Sequence, residues 1–295
     1  MISINRFEKV FVEYEIKDDS TGSSFTIIPE WGGLVSEFTV NNFPILYLDK
    51  DILKKDAIIR TGGIPILFPI CAGLKNGFAM DGERKLEVPR HGFARTLPWK
   101  VIEMQEGQEG IITIGLQSSE YTRSVFPYEF DLKYKYILND NDLQIKHTIT
   151  NTGSVSMPYF AGFHPFFNIK NKSALKFNIP ADTYDDGIAG IEEQYNGVID
   201  LNKPTDFIFN LNDKPEHFYE MIDTDSGRKI SFRTSQAYKY MILWTVEGKD
   251  YVCVEPWMGK PDALNTGVGL ERLKPGEKSE EFFGIKVSMI QKMGN

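Results

Sequence analysis

Cysteine is nearly missing from this chain. Cys71 and Cys253 are the two in 295 residues, both in apolar stretches and neither near a second ligand at metal-binding spacing. Disulfide frameworks and thiolate metal centres are thereby excluded as organising features, and reduced, buried thiols are expected. No apolar run approaches the about eighteen residues of a membrane helix. The first residues, MISINRFEKVFVEYEIKDD, lack the basic start, continuous apolar stretch and small-residue cleavage site of a secretory signal. A soluble, cytoplasmic protein is expected. Long basic runs are absent too: the net charge is −8, with both signs interspersed. That disfavours nucleic acid and polyanionic substrates, although a local cationic pocket for one phosphate would hardly change the total. No Gly-rich phosphate loop follows a strand and no Cys/His set has metal-ligand spacing, so neither a nucleotide nor a metal cofactor is expected.

Helical periodicity is scarce as well. No long segment keeps an i, i+3, i+4, i+7 apolar stripe, and only short helical turns are expected, near 46–56 and 188–195. What fills the chain is strand alternation. LKYKYILNDNDLQIKHTITNTG (132–153) reads as a hairpin turning at Asn139-Asp140-Asn141-Asp142, and further runs stand at 111–117, 229–235, 241–246, 250–257 and 282–290. Many short strands with Gly- and Asp-rich turns predict an all-β fold, a large antiparallel sandwich. With no repeat or linker to divide it, residues 1–295 are expected to form one domain. The Lys-bearing runs KYKY and QIKHT suit sheet edges.

Four segments break the pattern. AGFHPFFNI (161–169) sets Pro165 behind His164, which favours an edge, bulge or strand end; His164 is either a satisfied core histidine or a site residue. RTGGIPILFPI (60–70) is poor central-strand sequence, either an irregular crossover or backbone held close to a ligand with Arg60 aimed into it. PRHGFARTLPW (89–99) presents His91 and Arg95 on a loop. In DYVCVEPW (250–257), alternation puts Val252 and Val254 on one face and Tyr251, Cys253 and Glu255 on the other. A carboxylate ending an apolar strand needs a partner or a task, so Glu255 is either an ion-pair residue or a base of controlled pKa. Trp257 suits an apolar wall or a sugar-stacking platform.

IRTGGIPILFP, HGFAR, GFHPFF, TDFIF and VCVEPW, in that order and followed by LKPGEKSEEFFGI, resemble the aldose 1-epimerase (galactose mutarotase) family, closest to the branch containing the hexose-6-phosphate mutarotases. The resemblance implies a β supersandwich of the galactose mutarotase type that interconverts the α and β anomers of an aldohexose or hexose 6-phosphate without a cofactor. It further implies Glu255 as catalytic base, His164 as general acid, and His91, Arg60 and Asp206 as sugar-binding residues, with Asp200 a competitor for the role of Asp206. Arg95 and Trp257 are further candidates for the substrate site, and Arg60, Arg95, Lys75 and Arg84 are candidate cations for a phosphate. The chemistry fits, since opening a hemiacetal takes one base for the anomeric hydroxyl and one acid for the ring oxygen. His91 and Arg60 would stabilise negative charge on the substrate, and His147 and His217 read as structural or surface residues. The partner is then a small sugar or sugar phosphate. A non-catalytic sugar-binding or regulatory protein on the same fold is the alternative, less suited to a chain that keeps both an acid and a base.

Overall fold

The structure, a computed structural model, describes residues 1–49, 51, 61–211, 214 and 217–290. The alternating segments form two eight-stranded sheets and a five-stranded one. The first large sheet runs, edge to edge, through Leu175–Asn178, Phe218–Asp223, Arg228–Thr234, Lys278–Met289, Asp142–Asn151, Phe130–Asn139, Gly110–Gln117 and Lys100–Gln105. The second runs through Ile191–Gln194, Thr183–Asp186, Thr205–Asn210, Tyr240–Thr245, Tyr251–Trp257, Gly162–Phe163 and Ile66–Leu67, with Phe166–Asn168 also paired to Tyr251–Trp257. The ladders of both are antiparallel. The expected all-β supersandwich is therefore present. Among the described residues no helix is long and apolar enough to cross a membrane.

Alternation decides which face each residue shows. Leu132, Tyr134 and Tyr136 turn inward while Lys133, between them, stays exposed. The inner faces of the two large sheets meet through aromatic rings: Phe163 packs on Tyr134 and Phe283 at 5.9 and 5.4 Å, and Phe167 on Phe232 at 5.3 Å. Burying each such ring is worth about 2–3 kcal/mol before ordering entropy is subtracted. The apolar core they join contains residues from Ile2 to Val287.

The hairpin at 132–153 is present as Phe130–Asn139 and Asp142–Asn151, with Asp140 taking the left-handed conformation at the turn. Its strands are not edges. They lie inside the first large sheet, so the lysines of KYKY and QIKHT sit on the strands' solvent side rather than guarding a rim. The helical turn expected near 188–195 is replaced by strand Ile191–Gln194, because pairing with Thr183–Asp186 outweighs weak local helical preference. The turn expected near 46–56 falls largely outside the described residues. His147 and His217 are both buried; His147 stacks on Tyr134 and shares a 2.6 Å hydrogen bond with the Tyr238 hydroxyl, which makes it structural. Cys71 and Cys253 are free and buried, as expected.

Candidate active site

Glu255 and His164, ninety-one positions apart in sequence, face each other because of strand register. Phe166 pairs with Cys253 and Gly162 with Trp257, which leaves His164 opposite Glu255 across the gap that Pro165 interrupts. The TGGIPI segment holds that gap open: the amide of His164 donates to the Pro65 carbonyl at 3.1 Å, and that of Phe166 to the Gly63 carbonyl at 2.9 Å. Gly63 itself, at φ 67°, lies where an added Cβ would come within 2.3 Å of the Val35 carbonyl oxygen, so no side chain fits there. Above the strands, the His164 ring stacks on Phe166 at 4.6 Å and meets the edge of Trp244 at 5.7 Å.

The split expected for 250–257 is observed. Val252 and Val254 enter the main core, whereas Tyr251 and Cys253 form a separate cluster with Phe166, against which Trp244 packs. Glu255 belongs to this second, outward side, yet is only 1 % exposed. One carboxylate oxygen, Oε1, is 3.4 Å from His164 Nε2, and the other, Oε2, accepts from the Trp257 indole at 3.1 Å. Trp257 thus enters the site as a hydrogen-bond donor to the carboxylate.

Burial pushes the Glu255 carboxyl well above its ordinary range, and the nearby Asp206 adds to the rise against the pull of Trp257 and Arg90. Burial drives His164 well below the ordinary imidazole value, helped by His91, Arg95 and Arg90. With substrate absent, both shifts favour the neutral forms, a proton on Glu255 and none on His164. That is the reverse of the ionised Glu255 and protonated His164 expected for the reacting state.

The remaining residues gather unequally. Asp206 pairs with Trp244, which pairs with Cys253, so Asp206 lies two strands from the pair; burial and Asp186 raise its pKa while Arg90 opposes them. Asp200 is exposed and accepts from the Asn202 amide at 3.0 Å, which favours Asp206 of the two. The His91 ring approaches those of His164 and Trp257 at 5.5 and 6.1 Å. Arg95 is part-buried, with its pKa lowered first by burial and then by Arg90. Arg60 lies outside the described residues. Lys75 is exposed, its backbone amide donating to Asp262 at 2.9 Å, and Arg84 sits 6.0 Å over the Tyr128 ring; neither makes a contact that joins it to the pair.

Sequence reasoning passed over Arg90, whose Nε is 3.2 Å from His91 Nε2, and over the Cys71 carbonyl, which faces His91 Nδ1. The available signal was a second arginine in PRHGFAR, directly before the histidine. Among the described residues, one group could offer three metal ligands: His164, Cys253 and Glu255, with ligand atoms within 4.8 Å of one another. Burial pushes the Cys253 thiol well above its ordinary pKa, which disfavours the thiolate that a metal ligand requires.

A sequence model of the family described as aldose 1-epimerase matches residues 13–286. The chain is 27% identical over 275 residues to Protein LacX (plasmid) of Lactococcus lactis subsp. lactis, covering 81% of this chain and 91% of that protein. Its fold superposes on the crystal structure of the Slr1438 protein from Synechocystis sp. PCC 6803 with a TM-score of 0.91 and 35% identity, covering 98% of this chain and 99% of the other. A galactose mutarotase-like protein from Clostridium acetobutylicum shares the fold with a TM-score of 0.84 at 22% identity, over 98% and 99% of the two chains.

Proposed function

Since the chain belongs to the aldose 1-epimerase family, we propose that it interconverts the α and β anomers of an aldohexose or hexose 6-phosphate, with Glu255 as general base and His164 as general acid. The observation that carries this reading is the 3.4 Å approach of His164 Nε2 to Glu255 Oε1 within a buried site. When a sugar hydroxyl donates to Glu255, the carboxylate gains the partner that burial had denied it, and the shared proton passes to His164. Glu255 then removes the proton of the anomeric hydroxyl while His164 protonates the ring oxygen, and the C1–O5 bond breaks to leave the open aldehyde. After rotation about C1–C2, both transfers reverse and close the ring on the other face. Every proton returns to its origin, so the reaction consumes nothing and calls for no redox partner. Trp257 holds Oε2 throughout, and Asp206 is suited to bind sugar hydroxyls beside the pair.

The experiment is anomer exchange followed by NMR magnetisation transfer with glucose, galactose and glucose 6-phosphate. The expected result is exchange above the uncatalysed rate for at least one of them, and their ranking assigns the substrate. Folded protein that accelerates none would favour a sugar-recognition role instead.

The pKa directions also set the pH dependence. A second proton leaves no base, and loss of the shared proton leaves no acid, so the rate falls on both sides. The acid limb is expected below His164's ordinary value of 6.5, because its pKa is lowered, and the alkaline limb above Glu255's ordinary 4.5, because its pKa is raised. A rate that climbs continuously with pH and never falls on the alkaline side, as for simple deprotonation of a surface base, would contradict the shared proton.

A further inference from the structure

We infer that Arg90 caps His91 and, resting on the mutarotase reading above, that its guanidinium rather than the His91 ring is the group that meets a negatively polarised substrate oxygen.

Both nitrogens of His91 are committed. Nδ1 faces the carbonyl oxygen of Cys71, which can only accept, so Nδ1 carries the ring proton. Nε2 lies 3.2 Å from Arg90 Nε, which can only donate, so Nε2 presents its lone pair. A ring fixed in this way has no proton left to give an oxygen of the substrate. The backbone holds it there: His91 takes φ 65°, and its amide donates to the Ala72 carbonyl at 3.0 Å. Burial, reinforced by Arg95 and Arg90 and opposed by Cys71, lowers its pKa to about 4, so the ring stays neutral near pH 7.

Arg90 has the opposite character. It is exposed where His91 is buried, so an incoming solute reaches the guanidinium first. Its Nε is 3.2 Å from His91, whose ring lies 5.5 Å from that of His164, and its charge acts on His164, Asp206 and Glu255. With Nε engaged by His91, the two terminal amino groups keep four N–H donors for an oxygen that gains charge on ring opening, or for a phosphate. The role expected of His91 thus passes to its neighbour, and His91 becomes the support that aims it.

The test compares the wild type with Arg90→Leu and Arg90→Lys, using 15N NMR of the imidazole nitrogens and the anomer-exchange assay. In the wild type, His91 is expected to show a protonated Nδ1 and a hydrogen-bonded, unprotonated Nε2. Arg90→Leu should move the Nε2 resonance to that of a free acceptor and lower kcat/KM about tenfold or more, through kcat for an oxygen that gains charge on ring opening and through KM for a phosphate. Arg90→Lys should recover part of the kcat/KM loss through its charge without restoring the Nε2 shift. Arg90→Leu with both the resonance and kcat/KM unchanged would overturn the inference. So would saturating sugar moving the wild-type Nε2 resonance as Arg90→Leu does, because the substrate would then be displacing Arg90. The comparison of glucose with glucose 6-phosphate tells a ring or hydroxyl oxygen from a phosphate. The nitrogen spectrum is read on the protein alone, so failure of the cap is distinguishable from absence of mutarotation.

Discussion

Glu255→Gln is expected to lower the anomer-exchange rate by about three orders of magnitude, the middle of the range for removing a general acid–base group. The substitution keeps size and shape, and an amide oxygen can still accept from the Trp257 indole that now donates to Oε2 at 3.1 Å. It removes the carboxylate that faces His164 Nε2 at 3.4 Å. Because burial favours the neutral form of Glu255, stability should change by less than about 1 kcal/mol, and thermal unfolding should match the wild type. A variant that unfolds at the wild-type temperature and retains most of the exchange rate would remove Glu255 from the mechanism.

The largest effect on stability is expected at Gly92. It has φ 72°, and an added Cβ would lie 2.0 Å from the carbonyl oxygen of Phe68 and 2.4 Å from its carbon, both backbone atoms. Those atoms cannot rotate away, because the amides of Phe93 and Ala94 donate to the same oxygen at 3.0 and 3.2 Å. Phe68 is itself wedged among Phe93, Phe126, Phe130 and Tyr159. Gly92→Ala should therefore cost more than about 3 kcal/mol in urea unfolding, through strain and displaced core rings together. Gly276→Ala is the control: φ there is 78° but nothing lies within 4 Å of the new Cβ, so about 1 kcal/mol is expected. Equal costs for the two would show that the close approach to Phe68 does not matter.

Much of the fold is legible in the sequence because two-residue alternation is a local signal. The hairpin at 132–153 needs only its own residues, and the division of Val252 and Val254 from Tyr251, Cys253 and Glu255 follows from the pleat. What local pattern cannot carry is pairing partner and position within the sheet. The lysines of KYKY look like edge guards until the strand order puts a neighbour on both sides. IEEQ at 191–194 has little strand preference of its own and becomes a strand through Thr183–Asp186.

The site divides along the same line. Glu255 announces itself as a carboxylate on an apolar strand, and His164 as a histidine before proline. That they oppose each other depends on the register of segments ninety-one positions apart, which the family resemblance implies and local pattern does not. Hydrogen-bond direction is further from reach. His91 is visible in HGFAR, but its commitment to Cys71 and Arg90 requires the approach of residues 71 and 91 in space. The upward shift of the Glu255 pKa depends on burial and on Asp206, neither of which is encoded near position 255.

The central claim is that Glu255 and His164 act as one unit around a single shared proton. Its most direct test is the anomer-exchange rate of Glu255→Gln, His164→Asn and the double variant, each confirmed folded and measured beside the wild type at saturating sugar. If the pair is one unit, either substitution removes the whole transfer, and the double variant is no slower than the slower single. Losses that multiply, leaving the double variant slower by the product of the single effects, would show two independent groups and contradict the account.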